Sequence, residues 1–257
     1  KSLKHFEFIS KYILCVNLNN LMALVPSYIK KLKSYKPGKP IEQVQRDLGL
    51  KNIIKLASNE NPLGPSPKAK KAIKNSLKTL HRYPDSTGYE LRKKLAEKFE
   101  LEIANVVLGA GSEGIMSTIM RTFLLNDDEI ISASNSFIGF KILATASGRK
   151  VHWVPMKDHK YNLDDIANSI NDYTKIIYIA NPDNPMGTYV TKKEFDIFYK
   201  HVPERVLIIL DEAYFEYANN SADYPDSMNY RYDNVITLRS FSKAYGLGGA
   251  RVGYGFA

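Results

Sequence analysis

From residue 105 onward, short apolar runs alternate with amphipathic stretches. The runs are 105–108, 129–132, 150–155, 175–180, 206–210 and 234–238. Two of them, 175–180 and 206–210, are apolar almost without interruption, the mark of strands buried on both faces of a parallel sheet. Between them the spacing predicts helices over 113–124, 138–147 and 163–170. Residues 252–257 read as one more strand. Strands alternating with helices predict an α/β fold: a three-layer α/β/α sandwich on a mostly parallel sheet.

The first hundred residues read differently. A short helix and a second one around 42–48 flank a turn at Pro37-Gly38-Lys39-Pro40. Residues 61–67 hold three prolines and a glycine, which forbid regular structure. Residues 68–80 and 89–100 are predicted helices. No internal repeat or low-complexity tract is visible.

Composition narrows the class. The chain has 257 residues, 44% hydrophobic and 25% charged, enough for one large soluble domain or one and a part. The net charge is +9, but the lysines are scattered and form no basic stripe with interleaved aromatics. Nucleic acid is therefore not the expected partner, and a phosphorylated small molecule fits the excess better. One cysteine, Cys15, excludes a disulfide framework and fits a reducing compartment. The apolar stretch 12–25 contains Asn17, Asn19 and Asn20 and is too short and polar to span a bilayer. It also lacks a signal-peptide cleavage pattern. A cytoplasmic protein with no membrane partner and no metal is expected. Residues 1–21, ahead of Met22, read as an upstream extension. Residues 22–50 read as an N-terminal arm or part of a small domain, and 51–257 as a large domain cut off within a strand.

In sheets of this kind ligands bind beyond the carboxyl ends of the strands, so those loops carry the chemistry. After the run ending at Leu108 comes Gly109-Ala-Gly111-Ser112-Glu113-Gly114. A glycine turn opening a helix offers backbone N–H groups and a positive dipole end to a phosphate. The string also matches G-x-G-x-x-G, the weak signature of a dinucleotide site. The next strand, however, ends in Ser132-Ala133-Ser134-Asn135, without the acid such a site requires. After Ala180, Asn181-Pro-Asp-Asn184-Pro-Met-Gly187 is either a plain turn or a stiff loop presenting Asn184. The run 206–210 leads into Asp211 and Tyr214. An acid at the end of an apolar strand needs a partner, which is either a helix N-terminus or a protonated ligand nitrogen. After residue 238 come Ser240, Ser242, Lys243 and Arg251 in a glycine-rich segment. Lys243 is either a solvated surface charge or a desolvated amine suited to Schiff-base chemistry.

Taken together these loops resemble the fold-type I pyridoxal-phosphate aminotransferases, and within them the histidinol-phosphate aminotransferase group. The resemblance rests on Ser240 through Arg251, Asp211 to Tyr214, Asn181 to Gly187, Leu56-Ala-Ser-Asn-Glu-Asn-Pro62, Arg82-Tyr83-Pro84 and Ser34-Tyr-Lys-Pro-Gly38. The matches run in family order from about residue 30 to the last. They imply the large domain of the aspartate-aminotransferase-like fold. They imply that Lys243 carries pyridoxal phosphate and shuttles the substrate proton. Asp211 pairs with the ring nitrogen, and Tyr214 and Asn184 with the ring oxygen. Ser240, Ser242 and Arg251 hold the phosphate, helped by the backbone N–H groups of Ser112 and Glu113. Phe137 occupies the place of a ring-stacking aromatic, although Asn135-Ser136 replaces the usual proline pattern and a lone Phe also suits a core. Tyr83 resembles a tyrosine that reaches the phosphate in the neighbouring subunit, which implies a homodimer.

The implied reaction transfers an amino group from an amino donor, histidinol phosphate, to 2-oxoglutarate. Aromatic amino-acid aminotransferases and threonine-phosphate decarboxylases share the same loops and remain alternatives. So do a dinucleotide-binding enzyme and an inactive gene remnant. The family also implies a C-terminal small domain with an arginine for the substrate, beyond the sequence present here.

Overall fold

The computed structural model describes residues 24–32 and 38–257. The expectations for residues 1–21 and for the stretch 34–37 fall outside the described residues. Residues 1–33 and 34–257 form two compact units. The described part of the first contains one helical turn, α1 (Ser27–Lys30).

The second unit opens with α2 (Ile41–Leu48), which ends at Gly49 in the left-handed conformation. α3 (Pro67–Ser76) starts as the sequence dictates. Ser66 accepts the Ala69 N–H, and Pro67 occupies the first turn. The expected helix 68–80 tightens at Ser76 into a 3₁₀ turn, Leu77–Thr79. There the hydroxyls of Ser76 and Thr79 donate back to the carbonyls of Ile73 and Ser76. α4 (Tyr89–Phe99) follows, and its Arg92 guanidinium donates to the carbonyls of Val106 and Ile103, at 2.8 and 2.7 Å.

Seven strands then form one sheet: β1 (Val106–Gly109), β2 (Glu129–Ala133), β3 (Lys150–Val154), β4 (Thr174–Ala180), β5 (Leu207–Asp211), β6 (Val235–Ser240) and β7 (Gly253–Phe256). Their order is β1-β7-β6-β5-β4-β2-β3. β7 is antiparallel to both its neighbours, while β6, β5, β4, β2 and β3 pair in parallel. The helices between strands are α5 (Gly111–Phe123), α6 (Ile138–Ala146), α7 (Leu163–Asn168), α8 (Lys192–Tyr199) and the single turn α9 (Phe215–Ala218). Helix α8 is an addition to the elements expected. A capping box nucleates it: Thr191 accepts the Glu194 N–H, and the Glu194 side chain returns to the Thr191 N–H.

The core follows the apolar runs. Ile130, Ile131, Ile176, Ile177, Ile208 and Ile209 are fully buried against Met116, Phe140 and Phe195. Each such side chain contributes roughly 1.5–3 kcal/mol of burial. A smaller cluster joins Leu95 and Ala96 of α4 to Val106, Met228, Tyr254 and Phe256. No helix among the described residues is long and apolar enough to cross a membrane.

Candidate active site

The parallel strands direct their carboxyl ends to one edge, and the loops after β1, β2, β4, β5 and β6 enclose a cleft there. Ser112, Glu113, Phe137, Asn184, Asp211, Tyr214, Ser240, Ser242, Lys243 and Arg251 all line it. Tyr83 does not, and its side chain is 99% exposed.

Asp211 ends β5 and is buried. Its Oδ1 accepts the Ala213 N–H at 3.2 Å, a local turn contact of the kind a strand-end acid makes. Its Oδ2 accepts the Tyr178 hydroxyl at 2.8 Å. Burial pushes its carboxyl up to about 6, opposed by these two hydrogen bonds and by the charge of Lys243. The acid thus has two neutral donors, and its side chain lines the cleft.

Lys243 follows β6 in a turn that closes at Gly246, whose N–H donates to the Lys243 carbonyl. Gly246 has φ +66° and packs against the backbone of Gly64 and Pro65, where a Cβ would lie 2.5 Å from the Gly64 carbonyl carbon. Only glycine permits both the conformation and the approach. The proline-rich loop is thereby laid on the lysine turn. Asn61 secures it by donating to the Ala244 carbonyl at 2.8 Å. The Lys243 Nζ donates to the Ser58 carbonyl at 2.9 Å and lies 5.5 Å from the centre of the Tyr214 ring. Asn59 donates to the Tyr214 hydroxyl at 3.0 Å. The segment 56–62 thus contacts the site through Ser58, Asn59 and Asn61. Its motif is visible in the sequence, but those contacts are not.

The opposite end of the cleft suits an anion. Ser240 and Ser242 offer hydroxyls, and the Ser242 N–H donates to the Ser240 Oγ at 3.0 Å. Arg251 reaches the start of α5, donating to the Ala110 carbonyl at 3.3 Å. Its guanidinium fills the space a Cβ on Gly111 would need, 2.7 Å from Nη2. The first turn of α5, which has no side-chain cap, lines the same end through Gly111, Ser112 and Glu113, and a helix start favours an anion.

Phe137 is half-buried and packs on the main core while also lining the cleft. Its turn is tied to the Asn184 loop by Ser136, which donates to the buried Asp183 Oδ1 at 2.5 Å. Tyr161 donates to Ser136 and accepts the Ala180 N–H. Both Asn–Pro bonds of the loop, Asn181–Pro182 and Asn184–Pro185, are cis. Tyr178 lies in no motif, and Ser136 and Asp183 sit at the unspecified positions of theirs. Their only signal is a hydroxyl or acid within an otherwise apolar or turn-like stretch.

A lysine, a buried acid with neutral donors and an anion cradle thus meet in one cleft. The chain is a member of the aminotransferase class I and II family, whose pattern matches residues 51–257. Its fold is the expected α/β sandwich of fold-type I aminotransferases. It is 43% identical over 236 residues to histidinol-phosphate aminotransferase 2 of Carboxydothermus hydrogenoformans, covering 91% of this chain and 65% of that protein. It is 43% identical over 239 residues to histidinol-phosphate aminotransferase of an Anaeromyxobacter species, covering 92% and 65%. The structure of histidinol-phosphate aminotransferase from Sinorhizobium meliloti, in complex with pyridoxal-5'-phosphate, matches with a TM-score of 0.81 at 29% identity, over 93% of this chain and 64% of that one. The chain thus spans just under two thirds of the length of these relatives. Family membership sets aside the dinucleotide reading of 109–114.

Proposed function

We propose that the chain is the cofactor-binding part of a pyridoxal-phosphate transaminase that converts histidinol phosphate and 2-oxoglutarate to imidazole acetol phosphate and glutamate, a step of histidine biosynthesis. The observation that carries this reading is the convergence of Lys243, Asp211 and the Arg251 cradle on one cleft. The names of the relatives supply histidinol phosphate, and 2-oxoglutarate is what the family resemblance implies as acceptor.

The donor set fits the cofactor group by group. Asp211 would hold a protonated ring nitrogen. Ser240, Ser242, Arg251 and the N–H groups of Ser112 and Glu113 meet a phosphate dianion, and Gly111 leaves the Arg251 side chain its place. Pyridoxal phosphate, when bound, supplies an aldehyde for amine exchange and a ring that accepts the electron pair of a deprotonated carbon. Lys243 would hold the cofactor through Nζ, and the same amine would serve as the base that moves the proton of the substrate's amine-bearing carbon. Tyr214 and Asn184 would hold the ring through its oxygen, and Phe137 would pack against it.

The working form is a homodimer in the cytoplasm. Its support is the apolar strip Ile73, Leu77, Leu80 and Tyr83, exposed beside α3, where Tyr83 is free to reach a partner subunit's phosphate. The domain boundaries at residues 21 and 50 stand as part of the same proposal. The test is direct. The protein is mixed with pyridoxal phosphate, reduced with borohydride and mapped by mass spectrometry. Label on Lys243, with glutamate formed from histidinol phosphate and 2-oxoglutarate, supports the reading. Faster turnover of aromatic amino acids or carbon dioxide release from threonine phosphate would move the substrate assignment. Absence of label on Lys243 would overturn the reading itself.

A further inference from the structure

Tyr178 places a hydroxyl among the buried isoleucines of β4, Ile176, Ile177 and Ile179. Register pairs Tyr178 with Ile209 and Ala180 with Asp211, so Tyr178 is the diagonal neighbour of Asp211 across β4 and β5. Side chains two apart on a strand share a face, and an aromatic reaches its diagonal neighbour. The ring is fully buried and stacks on Phe140 of α6, with centroids 3.7 Å apart and planes within 8°. The Tyr178 carbonyl accepts the Ser132 hydroxyl at 3.1 Å. The ring is therefore held on one side by a helix and along its backbone by β2. Its hydroxyl donates to Asp211 Oδ2.

We propose that Tyr178 is a positioning residue of the cofactor site, holding the Asp211 carboxylate charged and oriented toward the ring nitrogen of pyridoxal phosphate. The inference rests on the role given to Asp211 above.

Three facts support it. Burial, then the charge of Asp211, raises the Tyr178 hydroxyl well above its ordinary range, so it remains a donor at every working pH. A hydroxyl that only donates favours the ionised carboxylate over the protonated acid. The other titratable groups facing the pair are Lys243, Tyr161, Asp183 and Tyr214. Of these only Lys243 is a cation, and it lies on the cleft side. The remaining donor to Asp211 is a backbone N–H from its own turn. Tyr178 is thus the side chain that supports Asp211 from within the sheet.

The experiment measures pyridoxal-phosphate affinity by visible absorbance between pH 5 and 8.5, on the wild type, Tyr178→Phe, Asp211→Asn and the double variant. Phenylalanine retains the stack on Phe140, and urea unfolding verifies the fold. Tyr178→Phe is expected to bind about tenfold more weakly near neutral pH, the effect of one lost hydrogen bond to a charged group. Its acid midpoint is expected to move up by about one pH unit. The double variant is expected to bind no worse than Asp211→Asn. Unchanged affinity and midpoint in Tyr178→Phe, with weak binding in Asp211→Asn, overturns the inference alone. Losses that add in the double variant also overturn it, since the effect then does not pass through Asp211. Unchanged binding in Asp211→Asn overturns the site reading beneath it. If Tyr178→Phe does not fold, 3-fluorotyrosine placed at 178 serves instead. Its ¹⁹F resonance is expected to titrate with the midpoint of cofactor binding, and a resonance that does not move with it overturns the inference.

Discussion

Two buried carboxylates lie at opposite ends of the sheet, and the protein surrounds them in opposite ways. Glu129 begins β2 at the edge away from the cleft. Lys150 and His152 lie 2.7 and 2.6 Å from its oxygens, and Asn171 donates at 2.8 Å. The Lys150 hydrogen bond, more than any other contact, holds its carboxyl down at about 2. Asp211 ends β5 at the cleft, and burial holds it up at about 6, with neutral donors only. Contacts from Lys150, His152 and Asn171 make Glu129 a structural tie between β2, β3 and the turn before β4. Incomplete compensation leaves Asp211 able to accept a cationic ligand. A group whose charge is already neutralised has nothing to offer a substrate, and a group held short of neutralisation does.

The largest effect expected is on Asp211→Asn. Cofactor-dependent turnover should fall by about 10³-fold, as when a preorganised electrostatic partner is removed. The melting temperature should not fall, because the amide no longer carries a charge that burial opposes. A variant that instead unfolds would erase the distinction between the two acids. Next comes a third carboxylate, Glu212, paired with the buried Arg239 at 2.7 Å on the residue after Asp211. Arg239→Leu should destabilise by about 3–5 kcal/mol in urea unfolding, since it leaves Glu212 buried without its cation.

Glu129→Gln should show the converse of Asp211→Asn: about 2 kcal/mol less stability at pH 7 from weakened charged hydrogen bonds, with unchanged cofactor affinity. The two acids also give opposite pH slopes. Glu129 has an ordinary value of 4.5 and a folded one of about 2. Its stabilisation is full above pH 4.5 and is lost as pH falls toward 2. Asp211 rises from 3.8 to about 6, so the folded chain binds the extra proton in that window and stability declines as pH rises through it. Urea midpoints from pH 3 to 7 should therefore be flatter on the acid side for Glu129→Gln and flatter between pH 4 and 6 for Asp211→Asn. The smallest effect expected is on Asn59→Ala, which removes the hydrogen bond to Tyr214. It should weaken cofactor affinity about fivefold, the size of one net hydrogen bond.

Sequence alone determined the parts that are local. The apolar runs 175–180 and 206–210 are strands because an uninterrupted apolar run of that length buries itself on both faces of a sheet. Asp211, Asn184, Lys243 and Arg251 were legible because each follows such a run in a segment of unusual residue types. Helix α8 was missed because its apolar stripe is short, although the Thr191 and Glu194 capping box marks its start. Tertiary structure decided whatever joins distant residues. It placed β7 antiparallel between β1 and β6, laid Gly64 on Gly246, and aimed Tyr178 at Asp211. These pairings depend on register between strands and on the close approach of two backbones. No local pattern of residues encodes either, because both arise only when the whole sheet has formed.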